Sequence, residues 1–173
     1  MSAPKPVQTI HELMVQALAM EREAVDRYSE LAEMMAVHNN HEVAELFRKM
    51  AGYEQLHVHH ILQDMGWSAD SAPLPPEGAW STFEAPEAVP IDEMHYLMHP
   101  WHALQLARAA EQRAVQFFEG LARQATSDDI RRAAEEMRAE EVGHVSLIDA
   151  WLAKVPEPEA NWAEDPDPPR YED

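Results

Sequence analysis

The second half of this chain repeats the first. Residues 17–32 align with residues 107–122 at an offset of 90: Ala17, Ala19, Glu21, Ala24 and Val25 meet identical residues, Tyr28 meets Phe118, and Leu31-Ala32 meets Leu121-Ala122. A second block follows at an offset of 87, where Met50, Glu54, His57 and Val58 meet Met137, Glu141, His144 and Val145. The three-residue difference falls in the short loops between these blocks. Shared apolar patterning accounts for matching Ala, Val and Leu. It does not account for matching Glu and His at core positions, where a helix bundle does not want them.

Each half carries two apolar stripes at helical spacing. Thr9-x-x-Glu12 is a capping box, and Leu13, Met14, Ala17, Leu18, Ala24, Val25, Tyr28, Leu31, Ala32 and Met35 follow it on one face. His38-Asn39-Asn40 interrupts the stripe, and a second helix runs through Val43, Leu46, Phe47, Met50, Val58, Ile61, Leu62 and Met65 to a terminal Gly66. Pro73, Pro75, Pro76, Pro86 and Pro90 break any long helix in the next segment, which leaves room for one short helical turn around Ile91 to Leu97. Pro100 suits the first position of a third helix. Thr126 or Ser127, with Asp128 and Asp129 behind, starts a fourth that ends before Pro156. Strong helix formers dominate and only 5 glycines occur, so an all-α protein is expected.

Short loops make each helix pair antiparallel. The connection between the pairs exceeds thirty residues. A helix of about 25 residues is roughly 38 Å long, a distance about 12 extended residues can cover. The linker can thus cross the whole bundle and leave the second and third helices parallel. The expected layout is an N-terminal extension over 1–9, a four-helix bundle over 10–154 with its crossover at about 67–99, and an acidic Pro-rich tail over 155–173. The tail cannot fold alone. It either drapes over the surface or anchors on a neighbouring subunit through Trp162 and Tyr171.

The repeated acids carry the chemistry. Glu54 and His57 lie three apart on the inward stripe, and so do Glu141 and His144; Glu21 and Glu111 interrupt apolar runs of their own helices. Four carboxylates facing one core would repel and lose hydration, so in the absence of metal all four are expected to have raised pKa values. Two divalent cations change this balance: four Glu and two neutral imidazoles around two Fe²⁺ sum to zero charge. Mixed carboxylate and imidazole ligation suits iron, with manganese as the alternative. One Glu on each of two helices with Glu-x-x-His on each of the other two is the donor set of di-metal carboxylate bundles.

A formal net charge of −19, from 13 Lys+Arg against 32 Asp+Glu, repels phosphate backbones and makes nucleic acid an unfavourable partner. The absence of cysteine excludes disulfides, thiolate metal sites and a cysteine nucleophile. With no signal peptide and no apolar run of membrane length, a soluble cytoplasmic protein is expected.

Over roughly residues 10–154 the sequence resembles the ferritin-like superfamily, closest to the rubrerythrin-like di-iron proteins. The resemblance rests on Glu21 with Tyr28 seven later, Glu54-Gln-Leu-His57, Glu111 with Phe118 seven later, and Glu141-Val-Gly-His144. It implies a non-haem di-iron protein that reacts with O₂ or peroxide, as a ferroxidase or as a peroxidase fed by an external electron donor, in oxidative stress. It also implies that Glu54 and Glu141 bridge the two ions, with Glu21 and His57 completing one and Glu111 and His144 the other. The departures narrow the expectation. Ala114 stands where rubrerythrins usually carry a further Glu, the lack of cysteine rules out a rubredoxin module, and Gln55 replaces the Met that binds haem in bacterioferritins. The Pro-rich tail supplies no fifth helix, so a homodimer is expected in preference to a storage cage. Two other readings stay open: an oxygenase acting on an organic substrate, and a metal-binding protein without turnover.

Beyond the ligands, Tyr28 is the one candidate catalytic side chain: it either hydrogen-bonds or passes electrons near the site, or is an ordinary core tyrosine. Glu140 is either a solvated acid or a carboxylate that orients His57 across the core. His59, His60, His95, His99 and His102 read as surface or linker residues, with a secondary cation site as the alternative.

Overall fold

In the computed structural model, which describes residues 7–76 and 99–158, the chain forms α1 (Ile10–Val37), α2 (His41–Met65), α3 (Pro100–Arg123) and α4 (Asp128–Leu152). The capping signals act locally as expected. Thr9 Oγ1 accepts from the Glu12 N–H at 3.1 Å, while the Glu12 carboxylate accepts from Gln8, one residue further out than an ideal capping box. Of the two candidates for the α4 cap, Ser127 is the one used: its Oγ accepts from the Ile130 N–H. Pro100 occupies the first turn of α3, and His99 caps it by accepting from the Trp101 N–H through Nδ1, a local role the sequence did not announce. The expected helical turn at Ile91 to Leu97, His95, and the tail aromatics Trp162 and Tyr171 lie outside the described residues.

Gly66 ends α2 at φ 68, and the Trp67 N–H reaches back to the Leu62 carbonyl at 2.9 Å, a Schellman closure. No atom stands within 4 Å of a Cβ built there, so the glycine is needed for its backbone conformation alone. Gly66→Ala is expected to cost about 1–2 kcal/mol, or roughly 2–8 °C in melting temperature. An unchanged thermal melt would show that the cap contributes nothing.

Two apolar clusters fill the bundle. One joins Ala24, Leu31 and Met35 of α1, Leu46, Phe47 and Met50 of α2, Leu104 and Ala107 of α3, and Ile148 of α4. The other joins Leu13 and Leu18 of α1, Val58 and Ile61 of α2, Phe118 and Leu121 of α3, and Ile130 and Ala134 of α4. The order along each helix gives its direction. Helices α2 and α3 both run from the first cluster to the second, and α1 and α4 run the opposite way. The two pairs are therefore antiparallel within themselves, and α2 lies parallel to α3. The chain leaves α2 at one end of the bundle and enters α3 at the other. The first residues after α2 fold back on α1: Arg22 donates to the Ala69 carbonyl at 2.9 Å, and Trp67 meets His11 edge-on.

Candidate metal centre

The layer between the two clusters is made of acids and imidazoles. Along α1 the apolar contacts stop at Met20, Glu21 intervenes, and they resume at Ala24. Glu54 and His57 interrupt α2, Glu111 interrupts α3, and Glu141 and His144 interrupt α4 at the same depth. Glu54, Glu111 and Glu141 are fully buried, Glu21 is 2% exposed and His144 8%. His57 is the most open of the six, with 17% of its side chain exposed.

The six expected residues converge on one point. His57 Nδ1 lies 3.5 Å from Glu21 Oε1 and 3.3 Å from Glu54 Oε2. His144 Nδ1 lies 3.0 Å from Glu54 Oε1, 3.3 Å from Glu141 Oε2 and 3.5 Å from Glu111 Oε2. The imidazoles stack on one another at 5.5 Å, tilted by 12°. Yet Glu21 Oε2, both oxygens of Glu54 and Glu141, Glu111 Oε2 and both histidine Nδ1 atoms are buried without a hydrogen-bond partner. Orphaned polar atoms of this kind are rare in folded proteins because each forfeits its hydration. Here they all face inward on each other.

Donor atoms of Glu54 and both imidazoles, His57 and His144, lie within 4.8 Å of one another. Donor atoms of Glu21, Glu54, His57 and Glu141 lie within 4.8 Å of one another, and so do those of Glu54, Glu111, Glu141 and His144. The two sets of four share Glu54 and Glu141. Hard oxygen donors with two imidazoles fit a pair of divalent cations such as iron or manganese, and such cations would satisfy the orphaned atoms together.

The electrostatics of the metal-free centre correct one expectation. Burial, helped by the neighbouring Glu54, holds Glu21 well above the usual carboxylate range, and burial with Glu111 nearby does the same to Glu141. Glu54 goes the other way. Burial pushes it up, but the imidazoles of His144 and His57 on either side outweigh burial and hold it below the usual range. The same contacts act on the histidines. Burial alone would lower them; Glu21 and Glu54 raise His57 to about 10, and Glu111, Glu141 and Glu54 raise His144 further still. The expectation of four raised carboxylates treated the imidazoles as neutral. Without metal, the neighbouring carboxylates favour the protonated imidazoles, and the imidazoles in turn favour an ionised Glu54.

The other candidates also find places. The Tyr28 hydroxyl donates to Glu111 Oε1 in a buried, short hydrogen bond across to α3, so Tyr28 touches a residue of the centre. Glu140 Oε2 lies 3.4 Å from His57 Nε2. His59 and His60 are exposed. One neighbour was missed: the Tyr53 ring stacks on His144 at 6.3 Å, tilted by 17°. The repeat could have pointed to it, because Tyr53 occupies in the first half the position that Glu140 occupies in the second.

An all-helical bundle whose waist is a ring of four glutamates and two histidines defines the ferritin-like class of carboxylate metal proteins. Residues 12–152 match the rubrerythrin family, and the chain belongs to that family. Its structure is similar to that of an uncharacterized conserved protein from Magnetospirillum magnetotacticum MS-1, with 36% sequence identity and a TM-score of 0.73 over 87% of this chain and 98% of the other. No curated protein matches it. Family and cluster together fit a di-iron protein. No helix among the described residues is long and apolar enough to cross a membrane.

Proposed function

We propose that this chain is a non-haem di-iron protein that reacts with O₂ or hydrogen peroxide, either oxidising Fe²⁺ or reducing peroxide with electrons from an external donor. The observation that carries this reading is the pair of overlapping donor sets sharing Glu54 and Glu141. Glu54 and Glu141 would be shared by both ions, Glu21 and His57 would complete one position, and Glu111 and His144 would complete the other. Two ferrous ions so held would supply two electrons together, the number needed to turn one H₂O₂ and two protons into two waters.

The surrounding residues serve that chemistry. The apolar clusters above and below the layer exclude bulk water, which strengthens every charge interaction within it. The Tyr28 hydroxyl holds Glu111 in place and keeps a proton at its Oε1. Gln55 stands where bacterioferritins carry their haem-binding methionine, which supports the non-haem reading. A cavity of about 670 Å³ lies among His41, Glu45, Leu46, Lys49, Trp151 and Lys154, at the bundle end and away from the centre, so it lends no support to an organic oxygenase.

Anaerobic loading with Fe²⁺ followed by stopped-flow mixing tests the proposal. New near-ultraviolet absorbance on adding H₂O₂ or O₂, at rates well above those of free Fe²⁺, is the expected result. Bound iron that stays ferrous in both oxidants would leave a metal-binding protein without this reactivity.

A further inference from the structure

The two donor sets are identical in kind, one Glu and one Glu-x-x-His from each half, so the ligands alone would make the two metal positions equal. The residues behind them are not identical. The internal repeat is broken at two positions that touch the centre: Tyr28 is matched by Phe118, and Tyr53 is matched by Glu140. Resting on the di-iron reading above, we propose that the two positions are unequal. The Glu21–His57 position binds its ion first and more tightly, and Glu140 is the positioning residue that sets the difference.

The first break acts through the histidines. Both turn Nδ1 to the carboxylates, which leaves Nε2 as the remote ring nitrogen. At His57 that nitrogen has Glu140 Oε2 3.4 Å away. A carboxylate facing the remote N–H draws on its proton, fixes the tautomer and makes the ligating nitrogen more basic. At His144 the matching residue is Tyr53, and its ring lies over the imidazole at a tilt of 17°. A stacked ring offers no carboxylate to the remote N–H.

The second break acts through the lone glutamates. Glu111 Oε1 accepts from the Tyr28 hydroxyl and Oε2 is orphaned, while Phe118, the match of Tyr28, has no hydroxyl with which to engage Glu21. Glu21 likewise has one orphaned oxygen, Oε2, so this break orients Glu111 without ranking the two positions. The ranking rests on the first break, which favours the Glu21–His57 position. Outer-shell partners of metal ligands are typically worth about 10–100-fold in affinity.

Anaerobic titration of the full chain with Co²⁺, followed by calorimetry and by visible absorption, separates the positions without any turnover. Two classes of site differing by about 10–100-fold are expected. Glu140 is 53% exposed, so Glu140→Gln leaves the core alone. It is expected to weaken the tighter site by about 10-fold or more, leave the weaker one unchanged, and be partly rescued by Glu140→Asp. Tyr53→Glu, which restores the matching carboxylate, is expected to tighten the weaker site. Two equal sites in the unaltered chain, or a Glu140→Gln effect shared by both sites, would overturn the inequality while leaving the di-metal reading intact. Failure to bind Co²⁺ at all would remove both.

Discussion

Glu54→Ala and Glu141→Ala are each expected to abolish binding of both metal ions, whereas His57→Ala should mainly weaken one. The reason lies in the shared membership of the donor sets. Glu54 and Glu141 belong to both groups of four, and His57 belongs with Glu21 to one of them. Removing a shared carboxylate takes a ligand from each ion and about one unit of the negative charge that holds the two cations together. Elemental analysis after anaerobic iron loading should fall from about two ions per chain to near zero for the bridging variants, and to about one for His57→Ala. A melting curve on each variant establishes that the bundle has formed. An unchanged metal count in a folded Glu54→Ala or Glu141→Ala protein would sink the bridging assignment.

Metal should raise the melting temperature strongly at neutral and alkaline pH and far less near pH 5. In the metal-free fold Glu21 and Glu141 are raised, so their contribution to stability is full below about 4.5 and is lost as pH rises through their folded values. His57 and His144 are raised too, and their contribution is full below about 6.5 and lost as pH rises, for His57 through about 10. Glu54 is lowered, so it stabilises above about 4.5 and loses that contribution only as pH falls further. Between pH 5 and pH 9 the first four groups act in the same direction, and the metal-free melting temperature should fall. Bound cations select the deprotonated ligands and reverse this dependence. At 100 times its dissociation constant each ion adds about 2.7 kcal/mol, and two together correspond to roughly 10–20 °C. Binding near pH 7.5 should also release protons from both imidazoles, measurable by calorimetry in buffers of different ionisation enthalpy. Coincident melts with and without Fe²⁺ or Mn²⁺ at pH 8 would count decisively against a buried di-metal layer.

The helices and the six clustered residues were legible because both depend on spacing. Apolar side chains at three and four define a face, and a Glu-x-x-His on that face points where the face points. The linker length allowed a parallel run of α2 and α3, and the order of the two apolar clusters along the helices shows that run. What spacing does not carry is contact across helices. Tyr28 was placed near Glu21 on its own helix, yet its hydroxyl reaches Glu111 on α3. Tyr53 is 42% exposed and sits off the apolar stripe, so nothing in the periodicity of α2 marks it, and only the repeat alignment does. The charge state of Glu54 was missed for a related reason. It depends on two imidazoles from different helices, and no reading of one helix at a time brings both beside the same carboxylate.

Each group of four donors draws on both halves of the chain: Glu21, Glu54 and His57 come from the first with Glu141 from the second, and Glu111, Glu141 and His144 come from the second with Glu54 from the first. A single helix pair could therefore complete neither position. The same centre could have been assembled from one such hairpin only by pairing it with a copy of itself about a two-fold axis, in the manner of an isologous dimer. Under that symmetry every residue near the axis appears twice, and a change helpful on one side is forced upon the other. Joining the copies into one chain lifts that constraint. Tyr28 opposite Phe118 and Tyr53 opposite Glu140 are arrangements that only a fused molecule can hold, which makes the long crossover between α2 and α3 the feature that permits an asymmetric centre.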